Sequence, residues 1–171
     1  MSEYEDPGTT GGEDYGTDAP TYEEPHDHTI VAQFTDGSQL GVSDVDHDGY
    51  ADIAATDADG DGRPEAVYTD EHGGVALDTA YVDANEDGSP ERVYADTNED
   101  GYVDAAAADT DGDGQLDLAA FDRNFDGRVD QVQSDPDEDG NIDRTVTDTD
   151  FDGVADTVHY GDNDTNPYAR N

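Results

Sequence analysis

The sequence predicts an all-β protein: short strands joined by acidic loops, arranged as a β-solenoid or an antiparallel meander behind a disordered acidic N-terminal tail. Two observations carry this. The chain repeats itself on a constant period of 13 residues, and only four residues separate the last acid of one loop from the first acid of the next; no helix fits between them. The linking segments, such as Asp52–Thr56 (DIAAT) and Glu65–Thr69 (EAVYT), are short apolar runs bounded by Asp and Gly, which read as strands.

The elements follow in order. Residues 1–28 are rich in Gly, Pro, Thr, Asp and Glu without apolar periodicity, the composition of a disordered acidic tail. Residues 29–43 (TIVAQFTDGSQLGVS) set two apolar runs around an Asp-Gly pair, the signature of a β-hairpin, expected to cap the array. Residues 44–160 are the array itself. A nine-residue motif opening at Asp44 returns at Asp57, Asp83, Asp96, Asp109, Asp122, Asp135 and Asp148 without a slip in register. The beat at Asp70 holds a decayed copy, DEHGGVALD, and Gly161 opens a degenerate C-terminal cap over residues 161–171, as repeat arrays require at their ends.

Charge sets the next constraint. The 171 residues include 47 Asp plus Glu against six Arg and no Lys, a formal net charge of −41, and only 32% are hydrophobic. Such a chain buries too little apolar surface to fold unaided, so something outside it is expected to help. An acidic surface repels nucleic acid and anionic membrane alike, and neither is expected as a partner. The absence of cysteine leaves no disulfide to staple the fold. The start, MSEYEDPG, has neither a basic region nor an apolar core, and no apolar run approaches 18 residues. Neither a Sec signal peptide nor a membrane span is expected, which on sequence alone reads as cytoplasmic.

The fixed positions define a candidate ion cage. Position 1 is Asp44, Asp57, Asp83, Asp96, Asp109, Asp122, Asp135 or Asp148. Position 3 is Asp46, Asp59, Asn85, Asn98, Asp111, Asn124, Asp137 or Asp150, and position 5 is Asp48, Asp61, Asp87, Asp100, Asp113, Asp126, Asp139 or Asp152. Position 9 is Asp52, Glu65, Glu91, Asp104, Asp117, Asp130, Asp143 or Asp156. Calcium takes six to eight hard oxygen ligands from a flexible loop. Side chains at 1, 3 and 5, a bidentate acid at 9 and the position 7 carbonyl (Tyr50, Arg63, Ser89, Tyr102, Gln115, Arg128, Asn141 or Val154) meet that demand. Glycine at position 6 permits the positive-φ turn around the ion. The Asn substitutions keep an oxygen ligand while removing a charge. Eight such loops holding about eight Ca²⁺ bring −41 to −25. An EF-hand would draw its bidentate Glu from position 12, where this chain has residues such as Ala55, Tyr68 and Val146, so the EF-hand fold is excluded.

The loop D-x-[DN]-x-D-G-x-x-[DE] resembles the calcium loops of thrombospondin type 3 repeats and of FG-GAP/VCBS repeats; the phrase DVDHDGYADIAA, from Asp44, is especially similar to the latter. The resemblance covers residues 44–160 at loop level. It departs from thrombospondin repeats in having no cysteine, and from FG-GAP propellers in a period several times shorter than a blade. It implies calcium binding and, commonly, an extracellular setting with another protein or a cell-surface component as partner.

Catalytic carboxylates need raised or contrasting pKa values in a partly buried site, the opposite of carboxylates held on calcium, and no nucleophile with its base stands elsewhere. No enzyme is expected. The function expected is a calcium-stabilised structural, adhesion or ion-storage module. The alternative is a cytosolic polyanion acting as an ion buffer or nucleic-acid mimic. His26 and His28 flank Asp27 in a spacing open to a transition metal, and Tyr4, Tyr15 and Tyr22 are ordinary linker residues. Tyr160 to Asp164 fits a Y-x-x-x-D secretion pattern that acid-rich chains meet by chance. If positions 1 and 9 hold one ion, each loop is a U-turn and successive strands run antiparallel. Small residues at position 11 (Ala54, Val67, Val93, Ala106) then favour a two-layer solenoid over a meander.

Overall fold

The computed structural model describes residues 28–161, so the acidic tail with His26, and residues 162–171 of the terminal stretch, lie outside the described residues. Eleven strands of four or five residues form one antiparallel sheet in chain order, β1-β2-β3-β4-β5-β6-β7-β8-β9-β10-β11. The first three are β1 (Thr29–Gln33), β2 (Gln39–Ser43) and β3 (Ile53–Asp57), followed by β4 (Ala66–Thr69), β5 (Thr79–Val82), β6 (Arg92–Ala95) and β7 (Ala105–Ala108). The sheet ends with β8 (Leu118–Phe121), β9 (Gln131–Ser134), β10 (Arg144–Thr147) and β11 (Thr157–Tyr160). No helix of the described residues is long and apolar enough to cross a membrane.

The fold is therefore the meander, and the preference for a solenoid is corrected. The odd period supplies the physical reason. Side chains alternate faces along a strand, so a 13-residue step turns the same motif position to opposite faces on successive strands. Position 11 cannot build one inner layer facing another. Instead Ala54 pairs with Tyr68, Tyr68 with Ala80, Ala80 with Tyr94 and Tyr94 with Ala106. The row continues through Ala120, Val132 and Val146 to Val158. Such directly opposed pairs are the stabilising unit of a sheet.

A single layer encloses little. Among the described residues no hydrophobic side chain is buried, whereas eight aspartates are: Asp57, Asp78, Asp104, Asp117, Asp122, Asp130, Asp143 and Asp148, all at 4–7% exposure. Thr79 is buried beside them. What this molecule removes from water is carboxylate.

Loops alternate between the two ends of the strands. Those opening at Asp44, Asp70, Asp96, Asp122 and Asp148 line one rim; those opening at Asp57, Asp83, Asp109 and Asp135 line the other, behind the β1–β2 turn. Along each rim the position 1 amide donates to the position 9 carbonyl of the loop before it, as in Asp96 to Asp78 (2.8 Å), Asp122 to Asp104 (2.7 Å) and Asp135 to Asp117 (2.9 Å). Neighbouring loops are thus joined through the residues that begin and end each motif.

Candidate metal sites

Each loop is shaped by its own acids. The position 1 carboxylate accepts the amide of the position 6 glycine: Asp57 from Gly62 (2.8 Å), Asp109 from Gly114 (2.8 Å), Asp122 from Gly127 (2.7 Å) and Asp148 from Gly153 (2.7 Å). The position 3 side chain accepts the amide of position 5, as Asp46 from Asp48 (3.0 Å), Asn85 from Asp87 (2.8 Å) and Asn98 from Asp100 (2.9 Å). Position 5 accepts the amide of position 7, as Asp61 from Arg63 (2.8 Å) and Asp126 from Arg128 (3.0 Å). These bonds turn the chain around a common centre. The position 6 glycines of the eight full copies lie at φ of 86–97° where an L side chain is strained, from Gly140 to Gly62.

The acids converge. Carboxylate oxygens of Asp44, Asp46 and Asp48 lie within 4.8 Å of one another, as do those of Asp57, Asp59 and Asp61, and of Asp83, Asp87 and Glu91. Two buried oxygens within this pattern, Oδ1 of Asp83 and Oδ1 of Asp135, have no hydrogen-bond partner. Repulsion and donation pull the acids apart in protonation: backbone amides of Gly114 and Gly112 hold Asp109 below the usual carboxylate range, whereas the charges of Asp152 and then Asp156 push Asp150 up.

Three features escaped the sequence reading. The first is the second duty of position 9: its carboxylate accepts the amides at the start of its own loop, so Asp52 takes those of Val45 and Asp46, and Glu65 that of Ala58 (2.7 Å). Where position 2 is Thr, the hydroxyl joins in, as Thr110 on Asp117 (2.7 Å) and Thr149 on Asp156 (2.6 Å). One oxygen of the acid read as bidentate is therefore already engaged by the backbone.

The second is position 4, which also has positive φ, between 55° and 68° at His47, Glu86, Glu99, Phe125, Glu138 and Phe151 and 78–83° at Gly60 and Gly112. The third links neighbouring loops. Position 4 is glycine at Gly60, Gly73 and Gly112, and 26 residues later, on the adjacent loop of the same rim, it is Glu86, Glu99 and Glu138. Glu86 reaches across to form a group with Asp59 and Glu65. Burial, then the charges of Asp61 and Asp59, push its carboxyl up. Glu138 is pushed up to about 7, first by its hydrogen bond with Asp113, and it accepts from Gln115 Nε2 at 2.6 Å. The pairing of each position 4 glycine with a glutamate two repeats later was the available signal.

The decayed loop differs in its second half. Asp70 accepts the amides of Gly73 (2.6 Å) and His72 (3.0 Å), but Val75 is absent from the positive-φ residues. Asp78 keeps the position 9 role, taking the amides of Glu71 and His72, each at 3.2 Å, and adds His72 Nδ1 at 2.5 Å. His28 stacks on His47, ring centroids 3.8 Å apart. Comparison of the chain with family models, curated proteins and solved structures finds no match.

Proposed function

We propose that the eight full loops bind calcium and that the ions hold the sheet together, making the protein a calcium-stabilised structural or ion-storage module. The observation that carries this reading is the inverted interior: the buried side chains are aspartates where another fold would bury Leu or Val. A buried carboxylate is costly unless it is paired or coordinates a metal. Six arginines cannot neutralise 47 acids. The cation has to come from solution.

The donor set favours calcium over its competitors. Every side-chain ligand at positions 1, 3, 5 and 9 is a hard oxygen, the class calcium prefers, and there are enough of them to replace most of its water. The side chains of Asp109, Asp111, Asp113 and Asp117 with the Gln115 carbonyl would hold one ion, and Asp57, Asp59, Asp61 and Glu65 with the Arg63 carbonyl another. Glu138 and Glu86 bring a further carboxylate to these two loops, which ties an ion in one loop to the position of the next. The partnerless oxygens of Asp83 and Asp135 fit a cation as their missing partner. When bound, the ion supplies positive charge; the chain supplies turns already shaped around it.

Calorimetric titration at about 0.15 M salt tests this reading, since exposed charge is largely screened there. Saturable binding near eight ions per chain is the expected result. Uptake that does not saturate and collapses with salt would mark a diffuse polyanion, an ion buffer or nucleic-acid mimic, instead.

A further inference from the structure

Where the repeat decays, its donors change class. We propose that the 70–78 loop is a site for a divalent transition ion, zinc being the best match, held by His72, Asp78 and Glu99. These three residues offer donor atoms within 4.8 Å of one another, and nothing in the calcium reading uses them.

The chemistry separates this loop from the other eight. Gly74 removes the carboxylate that the full copies carry at position 5, and His72 puts an imidazole nitrogen where they carry Asp or Asn. Calcium gains little from nitrogen, whereas imidazole with carboxylate suits zinc and its neighbours. Asp78 is built as a ligand: its side chain is only 2% exposed, and it is oriented by the Glu71 and His72 amides and the Thr79 hydroxyl, the last at 2.8 Å. Hydrogen bonds of this kind orient the ligands of metal sites. Glu99 crosses from the neighbouring loop, and a Cβ at Gly74 would stand 2.9 Å from its Oε2. Glycine there leaves room for the incoming carboxylate. In the metal-free chain the Asp78 hydrogen bond favours a protonated His72; the incoming ion takes the ring nitrogen and the proton leaves to solvent.

The test uses the full chain with saturating calcium, so that the oxygen cages are filled, and titrates cobalt(II) as a spectroscopic stand-in for zinc. One cobalt with visible d–d absorption is expected, displaced by zinc, and accompanied by a paramagnetic shift of the His72 ring protons. His72→Asn restores an oxygen donor and should weaken cobalt at least about tenfold while leaving calcium stoichiometry and strand content unchanged; Glu99→Gln should weaken it by a similar factor. Cobalt binding that is unaltered in both variants, or that calcium abolishes, would overturn the proposal and leave His72 as the ion-pair partner of Asp78 alone. Because the readout is cobalt at saturating calcium, its failure leaves the calcium stoichiometry standing, and the converse holds.

Discussion

The loops at 109–117 and 70–78 are the instructive pair. Both bury their last acid, Asp117 at 7% and Asp78 at 6% exposure. Both turn through a positive-φ glycine at position 4, Gly112 and Gly73, and both face a glutamate from the next loop on their rim. Yet the first carries Asp111, Asp113 and Gly114 where the second carries His72, Gly74 and Val75. The strand ladder passes through both unbroken, with the Asp117 amide on Ala108 at 3.0 Å and the Asp78 amide on Thr69 at 2.9 Å. Register is held by the ladder and by the position 9 carboxylate capping the loop's first amides. The ligands at 3 and 5 are a separate layer of design that can be lost without loss of the turn.

That separation is open to breaking by mutation. The largest effect is expected from Asp109→Ala, which deprives the Gly112 and Gly114 amides of their acceptor and removes a proposed ligand. It should cost about 2 kcal/mol in urea unfolding and one calcium by native mass spectrometry, with the rest of the array still folded because repeat stability is a sum of local and neighbour terms. Asp70→Ala should cost about 1 kcal/mol and no calcium. Loss of one calcium from both variants would mean that the decayed loop is a calcium site after all.

Glu138→Gln sharpens the comparison at the shared glutamate. It should weaken calcium at the 109–117 loop about tenfold, roughly 1.4 kcal/mol, by fluorescence competition against a calcium chelator. The proton held by Glu138 gives this a pH signature. Its carboxyl, pushed up to about 7, binds a proton that the unfolded chain has released, so it stabilises the metal-free loop at low pH and that contribution is lost as pH rises through about 7. Calcium displaces the proton. Binding at this loop should weaken below about pH 7 with proton release, visible as a buffer-dependent calorimetric enthalpy that vanishes in Glu138→Gln.

The smallest effects concern the two left-handed positions. Gly127→Ala, at φ 88°, should cost roughly 1–2 kcal/mol. Phe125→Gly, at φ 60°, should change stability by less than about 1 kcal/mol, since relief of strain is offset by the entropy glycine regains on unfolding. Thermal melts in saturating calcium distinguish the two.

Much of this was legible because the period is exceptionless. The all-β class, the antiparallel sense of neighbouring strands and the turn through position 6 follow from acids at 1, 3, 5 and 9 around a glycine. The choice of one sheet over two was not, because small residues at position 11 read equally as a thin interface until the odd period is combined with strand alternation. Position 9's work on the backbone was hidden because Asp and Glu satisfy a ligand role and a capping role alike. The crossing of Glu86, Glu99 and Glu138 joins residues 26 apart in sequence, and its mark, glycine at 60, 73 and 112, is legible only once loops two repeats apart are known to be neighbours.

The central claim is that ions, not apolar burial, hold the array. Each loop saturated at about 100 times its dissociation constant adds roughly 2.7 kcal/mol if the unfolded chain does not bind, while no buried hydrophobic side chain stands among the described residues to replace it. Hydrogen exchange of the strand amides from β3 to β11, followed in EDTA and in millimolar calcium, tests this most directly. The account predicts exchange near the unfolded rate in EDTA and strong protection in calcium; equal, strong protection in both would contradict it.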